Sequence, residues 1–174
     1  MIEPATLDPV TDVTAGSAGD FREFYEAERE RLGRALFLLT GSSHEAEDLA
    51  QEALVRVYER WGRVREMGSP VGYLYRTAMN LHRSRLRRVA VATRKLVFHP
   101  QPSTGTHSVE DRDELSRALD TLPHGQRQAL VLIDWLGMTA EETGRILGLK
   151  PVSVRVRLSR AHAALREQLE ANDE

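Results

Sequence analysis

Apolar residues recur every three or four positions through most of the chain, the period of amphipathic helices rather than of strands. Asp20 with Glu23 forms a capping box that predicts a helix start. Phe21, Phe24, Tyr25, Leu32, Ala35, Leu36 and Leu39 then share one face, and Gly41 stops the helix. Ser42 to Glu45 caps a second helix, whose stripe runs Ala46, Leu49, Ala50, Ala53, Leu54, Val57 and Trp61 until Gly62 ends it. Ser69-Pro70 opens a third helix to about Val89, with Val71, Leu74, Tyr75, Ala78 and Leu86 inward. Periodicity then stops: residues 97–107, VFHPQPSTGTH, read as a linker. It resumes with a helix over Val109–Thr121, capped by Ser108 and Asp111, and another over His124–Leu136 behind Pro123.

The clearest punctuation lies near the end of the chain. Thr139 and Glu142 form a capping box, Thr143, Ile146 and Leu147 give a short apolar face, and Gly148 suits a left-handed stop. Lys150-Pro151 begins a further helix with Val154, Leu158, Ala161, Leu165 and Leu169 on one stripe. A short helix, a glycine turn and a basic amphipathic helix describe a helix-turn-helix. The pattern therefore predicts an all-α protein of two small helical domains, 20–96 and 108–170, joined by a flexible linker over 97–107. Residues 1–19 and 171–174 read as tails, the first disordered.

Composition narrows the classes. No cysteine occurs among the 174 residues, which removes disulfides and the usual zinc sites. The start of the chain has no apolar signal segment and the longest apolar runs are too short to span a bilayer, so a cytoplasmic protein without membrane insertion is expected. A net charge of −2 looks wrong for a nucleic-acid binder until it is mapped. Arg63 to Lys95 holds nine basic residues against one acid, Glu66, and no acid lies between Arg145 and Arg166. The first sixty residues and the 108–120 stretch are acidic. Segregated charge of this kind predicts two DNA contacts and a separate acidic surface.

Wheel positions name the residues. On the second helix Asp48, Gln51, Glu52, Val55 and Glu59 face outward, and taken alone this reads as a solvated face. On the third, Tyr73, Arg76, Asn80, Arg83, Ser84 and Arg87 project together. Arginines neutralise phosphates, asparagine pairs with a base edge and tyrosine stacks on an unpaired base, which favours nucleic-acid contact. On the last helix Arg155, Arg157, Arg160 and Arg166 are outward with Val152 and Val156, apolar residues suited to thymine methyls. His44-Glu45-Ala46-Glu47-Asp48 comes near the zinc-protease pattern but lacks its second histidine, and the acids suit a helix N-terminus. Neither a metal, a cofactor nor a catalytic constellation is called for.

From about Phe21 to Leu169 the chain resembles the extracytoplasmic-function (group IV) sigma factors of bacterial RNA polymerase, particularly the actinobacterial SigE-like branch. GSSHEAEDLAQEALVRVYERW resembles region 2.2, which in the family lays an acidic helix on the polymerase β′ clamp. The resemblance turns Asp48, Gln51, Glu52 and Val55 from a solvated face into a core-polymerase contact. GYLYRTAMNLHRSRLRR resembles regions 2.3 and 2.4, implying −10 recognition by Tyr73, Arg76, Asn80, Arg83 and Arg87, with the loop Gly62–Pro70 forming the family's base-capturing pocket. LPHGQRQALVLIDWLGMTAEETGRILGLKPVSVRVRLSRAHAALR resembles region 4, implying −35 contact by Lys150, Val152, Ser153, Arg155, Val156, Arg157 and Arg160. Lys150 replaces the family's usual capping serine, and the common Thr-Val-Lys-Ser-Arg-Leu run is Ser153 to Leu158 here, departures that bear on promoter sequence rather than fold.

The resemblance implies an alternative sigma factor, not an enzyme, whose partners are core RNA polymerase and promoter DNA. An anti-sigma factor is usual in the family, though nothing in the chain identifies one. Fully extended, the eleven-residue linker reaches roughly 35–40 Å, about ten base-pair steps of ~3.4 Å. Two other readings remain open: a stand-alone helix-turn-helix regulator that never engages polymerase, and a metal hydrolase using His44 and Asp48.

Overall fold

The computed structural model describes residues 13–95 and 114–172, all of their regular structure helical. The first half holds α1 (Val13–Thr40), α2 (Ser43–Tyr58), the single turn α3 (Trp61–Val64) and α4 (Pro70–Lys95). The second holds α5 (Glu114–Asp120), α6 (His124–Leu130) running into a π-helical turn (Val131–Trp135), α7 (Ala140–Leu147) and α8 (Pro151–Asn172). The linker 97–107, the Ser108–Asp111 cap and residues 1–12 lie outside the described residues.

α2 and α4 both pack on neighbours in the first half, α2 against α1 and α4 against α2. Leu32, Leu36, Leu49, Val57, Val64, Leu74, Tyr75 and Met79 are fully buried there. Phe21 and Phe24, in the N-terminal half of α1, set their rings 5.3 and 4.9 Å from Trp61, closing the core with aromatic contacts. In the second half α8 packs on α6 and α7, with Val154 and Ala161 inaccessible to solvent.

Several boundaries differ from the sequence pattern. α1 begins at Val13, seven residues before the Asp20 capping box, so 13–19 are helical and not part of a disordered tail. The Asp20 carboxylate instead accepts from Arg65 at 3.2 Å, beside α3, which removes it from a capping role. Trp61 is buried but sits past the end of α2, on α3. α4 extends past Val89 to Lys95, and Leu86, expected inward, is 40% exposed. The inward place one turn earlier belongs to Leu81 and His82, both buried. Helix 124–136 divides because the amide of Leu136 reaches back to Val131 O at 3.1 Å, a five-residue step.

Local signals at the helix-turn-helix are realised. Thr139 Oγ1 accepts from the Glu142 amide at 3.1 Å while Glu142 Oε2 accepts from the Thr139 amide at 2.8 Å. The Thr139 amide, and then its hydroxyl, donate to the Glu142 carboxylate and hold it below its ordinary range. Gly148 adopts φ 69°, the left-handed stop that its lack of Cβ permits.

The two halves are also packed together. α7 lies against α4, and the π turn and α6 lie against α1. Arg31 donates to Leu136 O at 3.1 Å and Arg127 to Leu39 O at 3.2 Å, each reaching from one half to a carbonyl of the other. A linker pattern alone predicts no such contact.

Candidate polymerase and nucleic-acid interfaces

Three helix faces carry the residues expected to bind polymerase or DNA, although Arg83 and Arg157 are drawn into contacts within the chain. The first is the outer face of α2, where inward Leu49, Ala53 and Val57 leave Asp48, Gln51 and Val55 exposed and Glu52 half-buried. Val55 is 55% exposed and Tyr58, one turn on, 56%, so an apolar patch continues the acidic one. Glu52 accepts from Arg56 at 2.7 Å. Arg85 of α4 comes within 3.9 Å of Asp48 and 3.7 Å of Glu52. The wheel missed Arg85, because it reaches these acids from a neighbouring helix. His44 lies 3.8 Å from Asp48, one helical turn away, and among the described residues no third metal-ligating side chain joins them.

The second surface is α4. Arg76, Asn80 and Arg87 are exposed together on it. Tyr73 is half-buried, its hydroxyl accepting from Arg60 at 3.2 Å. Beside it Glu59, Arg60, Gly62, Arg63, Val64 and Met67 line a hollow of about 750 Å³ at the start of the Gly62–Pro70 loop. Arg60 was not among the expected site residues: the sequence pattern runs the second helix through it to Gly62, whereas it lies at the junction between α2 and α3. Arg83 is half-buried and donates to Leu147 O at 3.3 Å, at the C-terminal end of α7. Arg76 borders a cleft of about 410 Å³ between the halves, opposite Glu142 and Arg145.

The third is α8. Pro151 starts it, Val154 and Ala161 anchor it, and the outward side carries exposed Lys150, Ser153 and Arg160 with Val152 at 66% and Val156 at 45%. Arg155 is exposed but paired with Glu141 on α7. Arg157 departs from the expected outward face. It is half-buried against α6, close enough that a Cβ on Gly125 would stand 2.8 Å from its Nη1. An absent side chain at Gly125 thus makes room for a guanidinium.

Two basic helix faces and one acidic-apolar face on one small chain give binding surfaces for a phosphate backbone and for a separate protein. Among the described residues no helix is long and apolar enough to cross a membrane.

Comparison with known proteins points the same way. The family model for Sigma-70 region 2 matches residues 24–91, and that for Sigma-70, region 4 matches 112–165. The chain is 34% identical to the RNA polymerase sigma-E factor of Streptomyces coelicolor, over 91% of this chain and 90% of that protein. It is 34% identical to the ECF RNA polymerase sigma factor SigE of Mycolicibacterium smegmatis, covering 95% of this chain and 66% of the relative. Among solved structures, the sigma factor RpoE of Bartonella quintana, in complex with the anti-sigma factor NepR, superposes with a TM-score of 0.71 at 26% identity, over 87% of this chain and 97% of that one.

Proposed function

This chain belongs to the extracytoplasmic-function group of the sigma-70 family, and from that premise we propose how its three surfaces divide the work of promoter recognition. It is a sigma factor acting with RNA polymerase, contributing binding rather than catalysis, in the cytoplasm where the polymerase works. The carrying observation is the segregation of charge onto separate helix faces: acids with Val55 on α2, arginines on α4, arginines with bare valines on α8.

Asp48, Gln51, Glu52 and Val55 dock on core polymerase, at the β′ clamp. The apolar patch supplies burial and the acids supply steering and register. On α4, Arg76 and Arg87 neutralise phosphates while Asn80 and Arg83 read the −10 element. Tyr73 and the adjoining hollow accept a base taken out of the stack. On α8, Lys150, Ser153, Arg155, Arg157 and Arg160 take the −35 element, with Val152 and Val156 against thymine methyls. Holding two modest DNA contacts on one polymerase-bound chain raises the effective concentration of the second once the first is made. An anti-sigma partner fits the Bartonella neighbour, which is bound to the anti-sigma factor NepR.

A stand-alone regulator would use α7 and α8 but gives the acidic α2 face no task. Run-off transcription with core polymerase on genomic templates, with and without this protein, tests the reading. New discrete transcripts are expected, and their absence with an active core enzyme overturns it.

A further inference from the structure

Between the halves, His82 of α4 and His124 of α6 set their rings 4.9 Å apart. His82 is 2% exposed, and both its ring nitrogens and Nε2 of His124 are buried without a hydrogen-bond partner. Buried imidazole nitrogens are tolerated in that state only while the rings are neutral. We propose that this histidine pair is a proton-operated latch: neutral rings hold the two halves closed, and protonation drives them apart to release Arg83 of α4 from the end of α7.

The consequence for DNA rests on the sigma-factor reading, whereas the latch itself is a property of the packing. Closure conflicts with reading, because Arg83 is engaged by the end of α7 and Arg76 stands at the inter-half cleft. Arg31, Arg83 and Arg127 also bond across the halves to backbone carbonyls, and an arginine keeps its charge across the physiological range. Gln128 on α6, donating to Met79 Sδ at 3.7 Å, does not titrate. The histidines are thus the groups here that change charge near neutrality.

Their surroundings set the direction. Around His82 the strongest charges are Arg127 and Arg85, besides His124 itself; around His124 they are Arg127, Arg83 and Arg157 of α8. The acids on the adjoining helices are engaged by arginines: Asp120 of α5 by Arg127 at 2.9 Å, Asp48 and Glu52 of α2 near Arg85, Glu28 of α1 at 3.8 Å from Arg31. On α7, Glu142 is bound by Thr139 and Arg145 is a further cation. Burial first, then these positive neighbours, press His82 down to about 4 and lower His124 as well. A depressed histidine stabilises the closed form fully above the open-form value near 6.5. That stability is lost as pH falls from there toward 4. For His82 alone the open-to-closed ratio rises about tenfold between roughly pH 7.5 and 5.5, with His124 adding to it.

The cysteine-free chain permits a direct test. Exposed Glu23→Cys on α1 and Ala163→Cys on α8 carry a spin-label pair in the otherwise unaltered chain. The inter-label distance distribution is expected to be narrow at pH 7.5 and to gain a long-distance population at pH 5.5. The His82→Phe/His124→Phe double variant should stay closed at both. A distribution unchanged down to pH 5, or a double variant opening over the same range, overturns the latch. Should the double variant lose helicity, NMR titration of the two imidazoles in the wild type decides. Midpoints well below 6.5 that accompany opening support it, and ordinary midpoints overturn it. No polymerase or promoter is involved, so a failed latch leaves the sigma reading to its own transcription assay.

Discussion

Arg83 Nη2 donates to the backbone oxygen of Leu147 at 3.3 Å, so a residue expected to meet promoter DNA instead caps the C-terminal end of α7. A cation at that end of a helix satisfies an orphan carbonyl and meets the negative pole of the macrodipole. The same guanidinium cannot serve a phosphate or base at the same time. Arg83→Ala is therefore expected to do two opposed things: loosen α7 from α4 and weaken −10 contact. Hydrogen exchange should accelerate in α7 of the free protein, while abortive transcription on a promoter with an intact −35 element falls. Unchanged exchange in α7 would show that the carbonyl contact holds nothing.

Arg85 approaches both Asp48 and Glu52 from α4, tying the acidic face of α2 to that helix. Pairs this exposed contribute about 0–1 kcal/mol to folding, so removing Arg85 should shift the melting temperature little. Glu52→Lys puts a positive charge where steering needs a negative one, and core-polymerase affinity is expected to fall at least about tenfold. Titration of labelled protein with core enzyme measures it, and wild-type affinity in the Glu52→Lys variant removes α2 as the docking face.

The capping box on α7 makes a pH-dependent contribution. Glu142 is held below its usual value by the Thr139 amide first and the Thr139 hydroxyl second. Its contribution is present above the ordinary carboxyl value near 4.5 and lost as pH falls through the depressed one. Thr139→Ala should cost about 1 kcal/mol at neutral pH, the usual worth of an N-cap, and should flatten the acid limb of stability. Urea melts from pH 7 to 3 on both proteins check this, and parallel acid limbs would refute it.

Two glycines make opposite predictions. A Cβ on Gly144 would lie 2.7 Å from Leu149 O, a backbone atom fixed by the turn. Gly144→Ala should destabilise by about 1–3 kcal/mol despite better helix propensity. On Gly125 the close atom is the mobile tip of Arg157. Gly125→Ala should keep stability within about 1 kcal/mol, since the far end of a flexible, half-buried side chain can swing aside, and push the guanidinium toward solvent. Thermal melts of both variants decide, and equal losses would place Arg157 in a rigid site.

Asn80 is exposed in the middle of the α4 stripe. Asn80→Ala is expected to change the preferred −10 bases more than total promoter affinity. Selection from a randomised promoter library reads both, and an identical −10 preference would remove Asn80 from base recognition.

Features set within a turn or two of chain are legible from residue spacing. Capping at Ser42 and Thr139, the left-handed stop at Gly148 and the apolar stripes of α2 and α8 depend on residues within a turn or two of one another, so spacing alone reveals them. Charge segregation is legible for the same reason, since each basic or acidic face lies on one helix. The tertiary structure decided which outward residues remained outward. Arg83 and Leu147 stand 64 positions apart, and Arg127 and Leu39 stand 88 apart. Whether such pairs meet depends on two finished helical surfaces fitting together, and no period along the chain encodes that. Arg157 turned against a glycine, Arg85 turned toward α2, and His82 became buried opposite His124 because packing between helices, not position on one wheel, set their surroundings.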